Sequence, residues 1–279
     1  MRELTLGYSP CPNDTFIFYG LVHGKVDTGG LRFREALLDV EALNRTATSA
    51  GLDITKVSYS AFAGLREQYC LLRSGGAMGR GCGPLVVAKE VTTMEKLRGK
   101  TIAIPGEMTT AYLLLRLYDM AFSENIKVMR FDEIMNAVKN KEADAGLIIH
   151  ESRLTYPAFG LKPVLDLGRW WADKTGLPIP LGAIIAKRTL GRELINRADA
   201  LIKESVLYAM SNRQETEAYI KAHSRELEDS VIREHIGLYV NDFSVDIGEE
   251  GIEAVGVLFE MAEAAGIAKR SAESLFIGD

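Results

Sequence analysis

The sequence predicts an α/β protein built from two lobes. Residues 146–149 (GLII) are a short run of small and branched apolar side chains, which is typical of a strand buried on both faces of a sheet. Two similar β segments, LVVAK at 85–89 and AIIAK at 183–187, bracket a segment in which strand and helix patterns alternate. We interpret these two segments as the crossings of a hinge between lobes.

The crossings define the expected lobes. The larger lobe is discontinuous and contains residues 1–89 and 187–279, and the smaller lobe is the insert of residues 90–186. A chain of 279 residues is long enough to give both lobes sizeable cores. A ligand crevice is then expected between them.

The composition is that of an ordinary globular protein, with 47% hydrophobic and 25% charged residues. A net charge of −5 without a dense run of Lys or Arg argues against a nucleic-acid partner. No apolar run approaches the roughly 20 residues that a membrane helix needs, and the start of the chain lacks the pattern of a signal peptide. We therefore expect a cytoplasmic protein with no nucleic-acid or membrane partner.

The three cysteines, Cys11, Cys70 and Cys82, have unrelated spacings. They predict a reducing compartment and give neither a disulfide framework nor the spacing of a metal site. No metal-ligand cluster or cofactor motif is evident, so we expect no metal and no cofactor. The glycine-rich stretch 75–84 lacks the GxGxxG and GK[ST] patterns of nucleotide-binding loops, and we interpret it as a connection.

The first predicted strand is followed by a turn with two prolines and then by a helix over 16–23. Asn13, Asp14 and Thr15 are each suitable caps for that helix. Cys11 lies in the same turn without an evident partner base, so we interpret it as a loop residue rather than a nucleophile.

A second strand is predicted over 31–38, and Asp39 is expected to start the helix after it. The next strand, 52–58, ends in Ser58 and leads into a short helix, which places hydroxyls and backbone N–H groups at a strand-to-helix turn. Lys56 in this strand either attracts a carboxylate or is a solvated surface lysine, and spacing alone leaves both open.

A further strand over 101–104 is followed by a turn and a helix over 111–122. Gly106 allows the tight turn, and Thr109 and Thr110 bring two hydroxyls to the helix N-terminus. Unpaired N–H groups and hydroxyls at that place favour a carboxylate or phosphate. One of the two threonines is expected to act only as the cap.

His150 directly follows the buried strand at 146–149. Ligands of open α/β sheets bind beyond the carboxyl ends of the strands, and imidazole titrates near neutral pH. His150 is therefore a candidate base, with a structural histidine as the alternative. Glu151 and Arg153 could orient it, although a surface ion pair explains them equally well.

Helical periodicity dominates the C-terminal part of the chain, with helices expected near 214–223, 230–239 and 249–265. His223 and His235 fall in these helices among polar neighbours. We interpret both as surface or packing residues.

From the residues alone, two classes of protein remain open. The strand-end turns offer anion-binding N–H groups, hydroxyls and one base, but no serine or cysteine nucleophile with a clear partner. This combination fits a two-lobed binding protein for an anionic organic molecule. It also fits a cofactor-free lyase in which His150 removes a carbon-bound proton.

Long strings of this sequence also carry a resemblance to a known family. They are SPCPNDTFIFYGLVHGKVD from Ser9, KVSYSAF from Lys56, RSGGAMGRGCGPLVV from Arg73, PGEMTTAYLLL from Pro105, GLIIHESRLTYPAFGL from Gly146 and WWADKTGLPIPLG from Trp170. Together they resemble the 1,4-dihydroxy-6-naphthoate synthase family of the futalosine branch of menaquinone biosynthesis. The similarity covers nearly the whole chain.

The resemblance implies a two-lobed fold of the periplasmic-binding-protein-like type II class with two hinge crossings. It implies a lyase without a cofactor that converts cyclic dehypoxanthinylfutalosine to 1,4-dihydroxy-6-naphthoate and dihydroxyacetone. It further implies His150 as the proton acceptor. The substrate contacts that it implies are Lys56, Val57, Ser58, Thr109 and Thr110.

Two alternatives share this fold, a cytosolic solute-binding protein for an aromatic or carboxylate ligand and the chorismate dehydratase of the same pathway. Fold alone does not decide among them. The IIHES string around His150 favours the synthase, because neither alternative should need that histidine. The expected partner is a small anionic molecule, and a homodimer is one assembly that the sequence leaves open.

Overall fold

The computed structural model describes residues 2–224 and 228–278, and within these ranges the chain forms two mixed β-sheets. The first sheet consists of β1 (Arg2–Tyr8), β2 (Leu31–Leu37), β3 (Ile54–Ser58), β4 (Tyr69–Leu71), β5 (Ala77–Gly79) and β11 (Ile179–Lys187). Its order is β2-β1-β3-β11-β4, and β5 also pairs with β11. Strand β1 is parallel to β2 and β3, whereas β11 is antiparallel to its neighbours.

The second sheet has the order β10-β6-β9-β7-β8. Its strands are β6 (Leu85–Ala88), β7 (Ile102–Ile104), β8 (Ile126–Val128), β9 (Ala145–Ile148) and β10 (Lys162–Asp166). Strand β7 is parallel to β8 and β9, and β6 is antiparallel to β9 and β10.

The helices connect the strands and cover the sheets. They are α1 (Pro12–Val22), α2 (Val40–Thr48), α3 (Tyr59–Ala63), α4 (Met94–Leu97), α5 (Thr110–Tyr118), α6 (Ile134–Lys139), α7 (Ser152–Thr155), α8 (Leu167–Thr175), α9 (Arg192–Ser211), α10 (Arg213–His223), α11 (Asp229–Tyr239), α12 (Asp242–Val245) and α13 (Gly248–Ala264). Short 3-10 turns cover Met120–Ser123, Tyr156–Phe159 and Arg188–Leu190. Over the part of the chain that the structure describes, none of the helices has the length and apolar character of a membrane span.

The two sheets divide the chain at positions that differ from the expected lobe boundaries. The sequence places residues 85–89 in the larger lobe, but β6 belongs to the second sheet. Likewise β11 belongs to the first sheet, although most of it falls in the insert predicted over 90–186. The chain therefore crosses between lobes in the connections 80–84 and 167–178. The similarity of the two strand segments reflects burial on both faces, which any central strand requires.

The parallel pairing brings the predicted strand ends together. Strands β1 and β3 are parallel in the first sheet and β7 and β9 in the second, so each pair ends at one edge of its sheet. Strand β3 itself and the segments that follow β1, β7 and β9 contribute residues to one crevice between the lobes. This is where open α/β sheets bind their ligands.

The lobes also share buried contacts. One continuous cluster of apolar side chains contains Val57 from the first sheet together with Val86 and Leu147 from the second. The hydroxyl of Thr110, in α5, donates to the carbonyl oxygen of Leu181, in β11, at 2.8 Å. The lobes are thus joined by both apolar packing and a direct hydrogen bond.

Helix α1 begins four residues earlier than the sequence predicts. Pro12 occupies its first turn, where proline is favoured because its missing N–H has no helical partner there. Cys11 is the N-cap residue and makes no side-chain cap hydrogen bond. The prediction that Asn13, Asp14 or Thr15 caps the helix is therefore wrong, and these side chains are buried inside its first turn. By contrast, Asp39 caps α2 as predicted, accepting hydrogen bonds from two backbone N–H groups.

Two helical glycines provide a matched test of how closely α8 approaches the segment that crosses between the lobes. A Cβ atom at Gly168, in α8, would lie 1.9 Å from the carbonyl oxygen of Cys82, whereas a Cβ at Gly237, in α11, meets nothing within 4 Å. We expect Gly168→Ala to lower the free energy of unfolding by about 1–3 kcal/mol, because the added methyl group would push the backbone of α8 away from that of Cys82. Gly237→Ala should raise it by about 0.5–1 kcal/mol. Urea unfolding of both variants measures the difference, and equal stabilities would contradict the close approach.

Candidate active site

The crevice between the lobes contains about 580 Å³ of space, including the part that opens to solvent. The polar residues that line it are Asn13, Lys56, Ser58, Thr109, Thr110 and His150. All of the site side chains predicted from the sequence therefore meet in one crevice, with the exception of Val57.

A buried ion pair forms one wall of the crevice. The ammonium group of Lys56 contacts a carboxylate oxygen of Asp14, and both residues are almost inaccessible to solvent. Asp14 also accepts hydrogen bonds from the backbone N–H and the hydroxyl of Ser9, at 3.1 and 2.7 Å, and from the side-chain amide of Asn13, at 2.7 Å. Lys56 is thus no solvated surface lysine. The carboxylate that it attracts belongs to the protein.

Strand β3 directs alternate side chains to opposite sides. Lys56 and Ser58 line the crevice, whereas Val57 is buried in the apolar cluster shared by the lobes. A contact between Val57 and a ligand would have to come from its backbone. Ser58 is fixed by Asn44, which accepts from the Ser58 N–H at 2.8 Å and donates to its hydroxyl at 3.1 Å.

The two threonines have different roles. The hydroxyl of Thr109 caps α5 by accepting from the Tyr112 N–H at 3.2 Å, and it donates to the Gly106 carbonyl at 2.8 Å. Thr110 joins the lobes through Leu181, as described above. Both hydroxyls are therefore committed to the protein. The backbone N–H groups of Thr110 and Ala111, in the first turn of α5, remain the groups best suited to hold an anion, because they have no acceptor within the helix.

His150 lies at the end of β9 in a left-handed backbone conformation, with φ of 56°. Its ring is half-buried and packs edge-on against Phe131, with a centroid separation of 4.9 Å. The Nε2 atom is buried and finds no hydrogen-bond partner among the described residues. A side chain that is polar, buried and unpaired beside a crevice is suited to act on a ligand.

The environment of His150 keeps its imidazole neutral. Burial lowers its pKa to about 4, the nearby positive charge of Lys56 acts in the same direction, and the carboxylate of Asp14 opposes them in part. At neutral pH the ring therefore has a free lone pair and can accept a proton. This state is the one that a general base requires.

The fold places Cys11 and Glu151 beside His150. The Cys11 sulfur, a Glu151 carboxylate oxygen and a His150 ring nitrogen all lie within 4.8 Å of one another. The sequence gives no sign of this cluster: Cys11 lies in the turn before α1, as predicted, but a base that the sequence did not reveal lies close to it. Burial and the nearby Glu151 carboxylate raise the pKa of the Cys11 thiol, so it is protonated at neutral pH.

These three side chains are the described residues that could hold a divalent metal. Thiolate, imidazole and carboxylate are all zinc ligands, at about 2.0–2.3 Å from the ion. The ligand atoms would need to move together and the thiol to ionise before a metal could bind.

His235 is a residue of the site that sequence reasoning missed. It is fully buried in α11, its ring centroid lies 6.3 Å from that of His150, and it packs edge-on against Tyr239. Burial lowers its pKa well below the usual value, with the charge of Lys56 adding to the effect. The spacing of Ile232, His235, Ile236 and Tyr239 marks one buried helix face, and that periodicity was the available signal.

Arg153 holds the connection between the lobes. Its guanidinium donates to the carbonyl oxygens of Gly83 and Gly81, at 3.0 and 3.3 Å, and to the Asp166 carboxylate at 2.7 Å. It is directed at the crossing segment and Asp166, so an orienting role toward His150 has no support in these contacts.

The chain is similar to proteins of menaquinone biosynthesis over nearly its whole length. A family model described as menaquinone biosynthesis matches residues 4–264. A relative from Thermus thermophilus, named 1,4-dihydroxy-6-naphthoate synthase, is 52% identical over 277 residues, covering 99% of this chain and 100% of the relative. A Streptomyces coelicolor relative of the same name is 44% identical over 268 residues, covering 95% and 94%.

Solved structures show the same fold. A protein from Archaeoglobus fulgidus matches with a TM-score of 0.90 at 40% identity, covering 95% of this chain and 98% of that one. A Candida albicans protein, described as having the generic periplasmic binding protein fold, matches at 0.74 with 14% identity over 97% and 92%. An alkanesulfonate-binding protein from Xanthomonas axonopodis pv. citri matches at 0.71 with 12% identity over 97% and 95%. The two-lobed, binding-protein-like fold predicted from the sequence is confirmed.

The ion pair of the crevice wall can be tested by mutation. We expect Asp14→Asn and Lys56→Met each to lower the free energy of unfolding by about 3–5 kcal/mol, because each leaves a buried charge without its partner. The double variant should lose much less than the sum of the two. Urea unfolding of the three variants measures the coupling, and additive losses would show that the two charges do not interact.

The low pKa of His150 predicts its behaviour on acidification. The folded-state value of about 4 lies below the unfolded value of 6.5, so the unfolded chain binds the proton first as the pH falls. The stability contributed by neutral His150 is therefore complete above pH 6.5 and is lost between pH 6.5 and 4. An NMR titration of the histidine ring protons, assigned with a His150 variant, should show no titration of His150 near pH 6.5. A midpoint close to 6.5 would contradict its burial.

Proposed function

The chain belongs to the menaquinone biosynthesis family, and from this membership we propose that it is a 1,4-dihydroxy-6-naphthoate synthase. The substrate is cyclic dehypoxanthinylfutalosine, which the enzyme splits into 1,4-dihydroxy-6-naphthoate and dihydroxyacetone. The observation that carries the proposal is the neutral, unpaired Nε2 atom of His150 in the crevice between the lobes, among the residues that the structure describes.

Substrate binding relies on the strand-end turns of both lobes. The N-terminus of α5 attracts the substrate carboxylate, because its first N–H groups lack helical acceptors and carry partial positive charge. The ammonium group of Lys56 attracts an anionic substrate less strongly than an unpaired lysine would, because the carboxylate of Asp14 already neutralises its charge. Ser58 and the backbone around Val57 and Thr109 complete the expected contacts. The apolar residues of the crevice are suited to the aromatic ring.

In the proposed reaction, His150 Nε2 takes the proton of a hydroxyl group on the three-carbon fragment, the electron pair of that O–H bond forms the carbonyl of the fragment, and the carbon–carbon bond to the ring system breaks. The electron pair of that bond remains in the ring system, which becomes aromatic, and the fragment leaves as dihydroxyacetone. The proton on His150 returns to a product, so the enzyme regains its neutral imidazole. The two products together contain the atoms of the substrate, and no oxidant or reductant is consumed.

Acid–base catalysis by one residue accounts for part of the rate. A positioned base typically contributes about 10²- to 10⁴-fold. Holding the substrate in the reactive geometry can contribute far more, because binding energy offsets the entropy that the substrate loses when it is held in place. The hydrogen bonds that join the lobes support this role, since they fix both walls of the crevice relative to His150.

The solute-binding alternative has weaker support. The relatives named as the synthase are 52% and 44% identical, whereas the alkanesulfonate-binding neighbour is 12% identical and shares the fold alone.

We also propose that the protein acts in the cytoplasm on a small anionic substrate. All three cysteines are free and buried, which suits a reducing compartment. The curated relatives are biosynthetic enzymes by name.

The base assignment is tested best with His150→Asn. Asparagine tolerates the left-handed backbone conformation at this position, whereas alanine would add strain to the loss of the ring. We expect kcat for cyclic dehypoxanthinylfutalosine to fall by about 10²- to 10⁴-fold, with substrate affinity nearly unchanged. The assay follows 1,4-dihydroxy-6-naphthoate formation, with binding measured in parallel.

His223→Asn provides the control, because His223 lies in α10 outside the crevice and should leave turnover unchanged. Full activity of His150→Asn would exclude His150 as the base. Binding of the substrate by the wild type without any turnover would instead favour a solute-binding protein.

A further inference from the structure

The orientation of the Asn13 side-chain amide is fixed by its neighbours. Its Nδ2 atom donates to Asp14 Oδ1 at 2.7 Å. The reverse orientation would place the amide oxygen against a carboxylate, which can only accept hydrogen bonds. The hydrogen bond to Asp14 therefore determines which end of the amide carries the oxygen. Asn13 Oδ1 must face away from Asp14.

This oxygen is buried and unpaired. Asn13 is 3% exposed and lines the crevice, and its Oδ1 atom has no hydrogen-bond partner within residues 2–224 and 228–278. Buried acceptors are almost always paired, because leaving one without a donor costs its full desolvation. The hydroxyl of Ser9 and the ammonium group of Lys56 donate to Asp14, and neither forms a hydrogen bond with Asn13 Oδ1.

We propose that Asn13 Oδ1 is the acceptor for a hydroxyl group of the substrate and thereby determines specificity. The site is built for a donor, because a ligand carboxylate or ether oxygen here would face both the amide oxygen and the nearby Asp14. The inference rests on the proposed function, which supplies the ligand: the three-carbon part of the substrate, released as dihydroxyacetone, carries the hydroxyl groups. The carboxylate of the aromatic part binds elsewhere, at the start of α5.

The side-chain oxygen of Asn13 is also held in position before a substrate binds. Asp14 is itself held by Ser9 and Lys56, so the chain Lys56–Asp14–Asn13 fixes the oxygen before the substrate arrives. A pre-positioned acceptor costs little entropy on binding and rejects a ligand without the hydroxyl group.

The test combines a variant with altered substrates. Wild type and Asn13→Ala are assayed with cyclic dehypoxanthinylfutalosine and with analogues that each lack one aliphatic hydroxyl group. In the wild type, we expect one analogue to lose about 10- to 100-fold in kcat/KM, which is the range for one good hydrogen bond to a buried group. Asn13→Ala should lose a similar factor with the parent substrate and little more with that analogue.

Two controls separate a direct contact from a structural effect. Asn136→Ala, at an exposed position of α6, should leave kcat/KM unchanged. Binding of 1,4-dihydroxy-6-naphthoate, which lacks the three-carbon part, should change by no more than about twofold in Asn13→Ala. Weaker product binding to the same extent as substrate would show that the variant distorts the crevice, and the proposal would fail.

The outcomes also distinguish this inference from the proposed function. If the wild type turns over the parent substrate and Asn13→Ala lowers kcat/KM equally for every analogue, Asn13 makes no hydroxyl contact and the inference alone is overturned. If the wild type does not turn over the parent substrate, the proposed function itself is overturned, and the inference falls with it.

Discussion

The buried ion pair between Asp14 and Lys56 is the contact on which the crevice depends. Burying two charges costs several kcal/mol per ion, and a pair is tolerated only where further hydrogen bonds satisfy it. Here Asp14 receives donors from Ser9 and Asn13 as well as from Lys56. The same contacts anchor the first turn of α1 to β3 and so fix the wall opposite His150. Stability and site geometry thus have one physical source.

The contacts between the lobes determine which groups remain for a ligand. Thr110 donates its hydroxyl to Leu181, and the backbone N–H of Met108 donates to Glu41 at 3.3 Å, each bond joining one lobe to the other. Consequently, a polar side chain that the sequence predicts as a substrate contact, such as Thr110, instead makes a hydrogen bond between the lobes. Both ring nitrogens of His235 are buried and unpaired among the described residues, but His235 does not line the crevice. What remains in the crevice itself is a helix N-terminus and two buried atoms without a partner in the described chain, Asn13 Oδ1 and His150 Nε2. These atoms lower the stability of the unliganded protein and become useful when a substrate pairs with them.

Much of the architecture was predictable because it depends on neighbouring residues. Alternation of apolar runs with helical periodicity located the main strands, and the aspartate before α2 predicted its cap. The histidine after β9 and the threonine pair at the start of α5 were predicted as candidate site residues from strand ends alone. The same local rules were wrong for Asn13, Asp14 and Thr15, which are buried inside the first turn of α1, where Asp14 pairs with Lys56. Local preference is worth about 1 kcal/mol, whereas an unpaired buried charge costs several.

The sequence by itself determined the fold class and the family, because these follow from periodicity and from contiguous strings of residues, and it predicted His150 as the candidate base. Tertiary structure decided the lobe boundaries, the burial of Lys56, and the approach of Cys11, Glu151 and His235 to His150. Those features join residues far apart in the chain, and pairing between distant strands and helices has no signature in any one segment. The pKa of His150 follows the same logic, since it is set by burial and by charges from the other lobe.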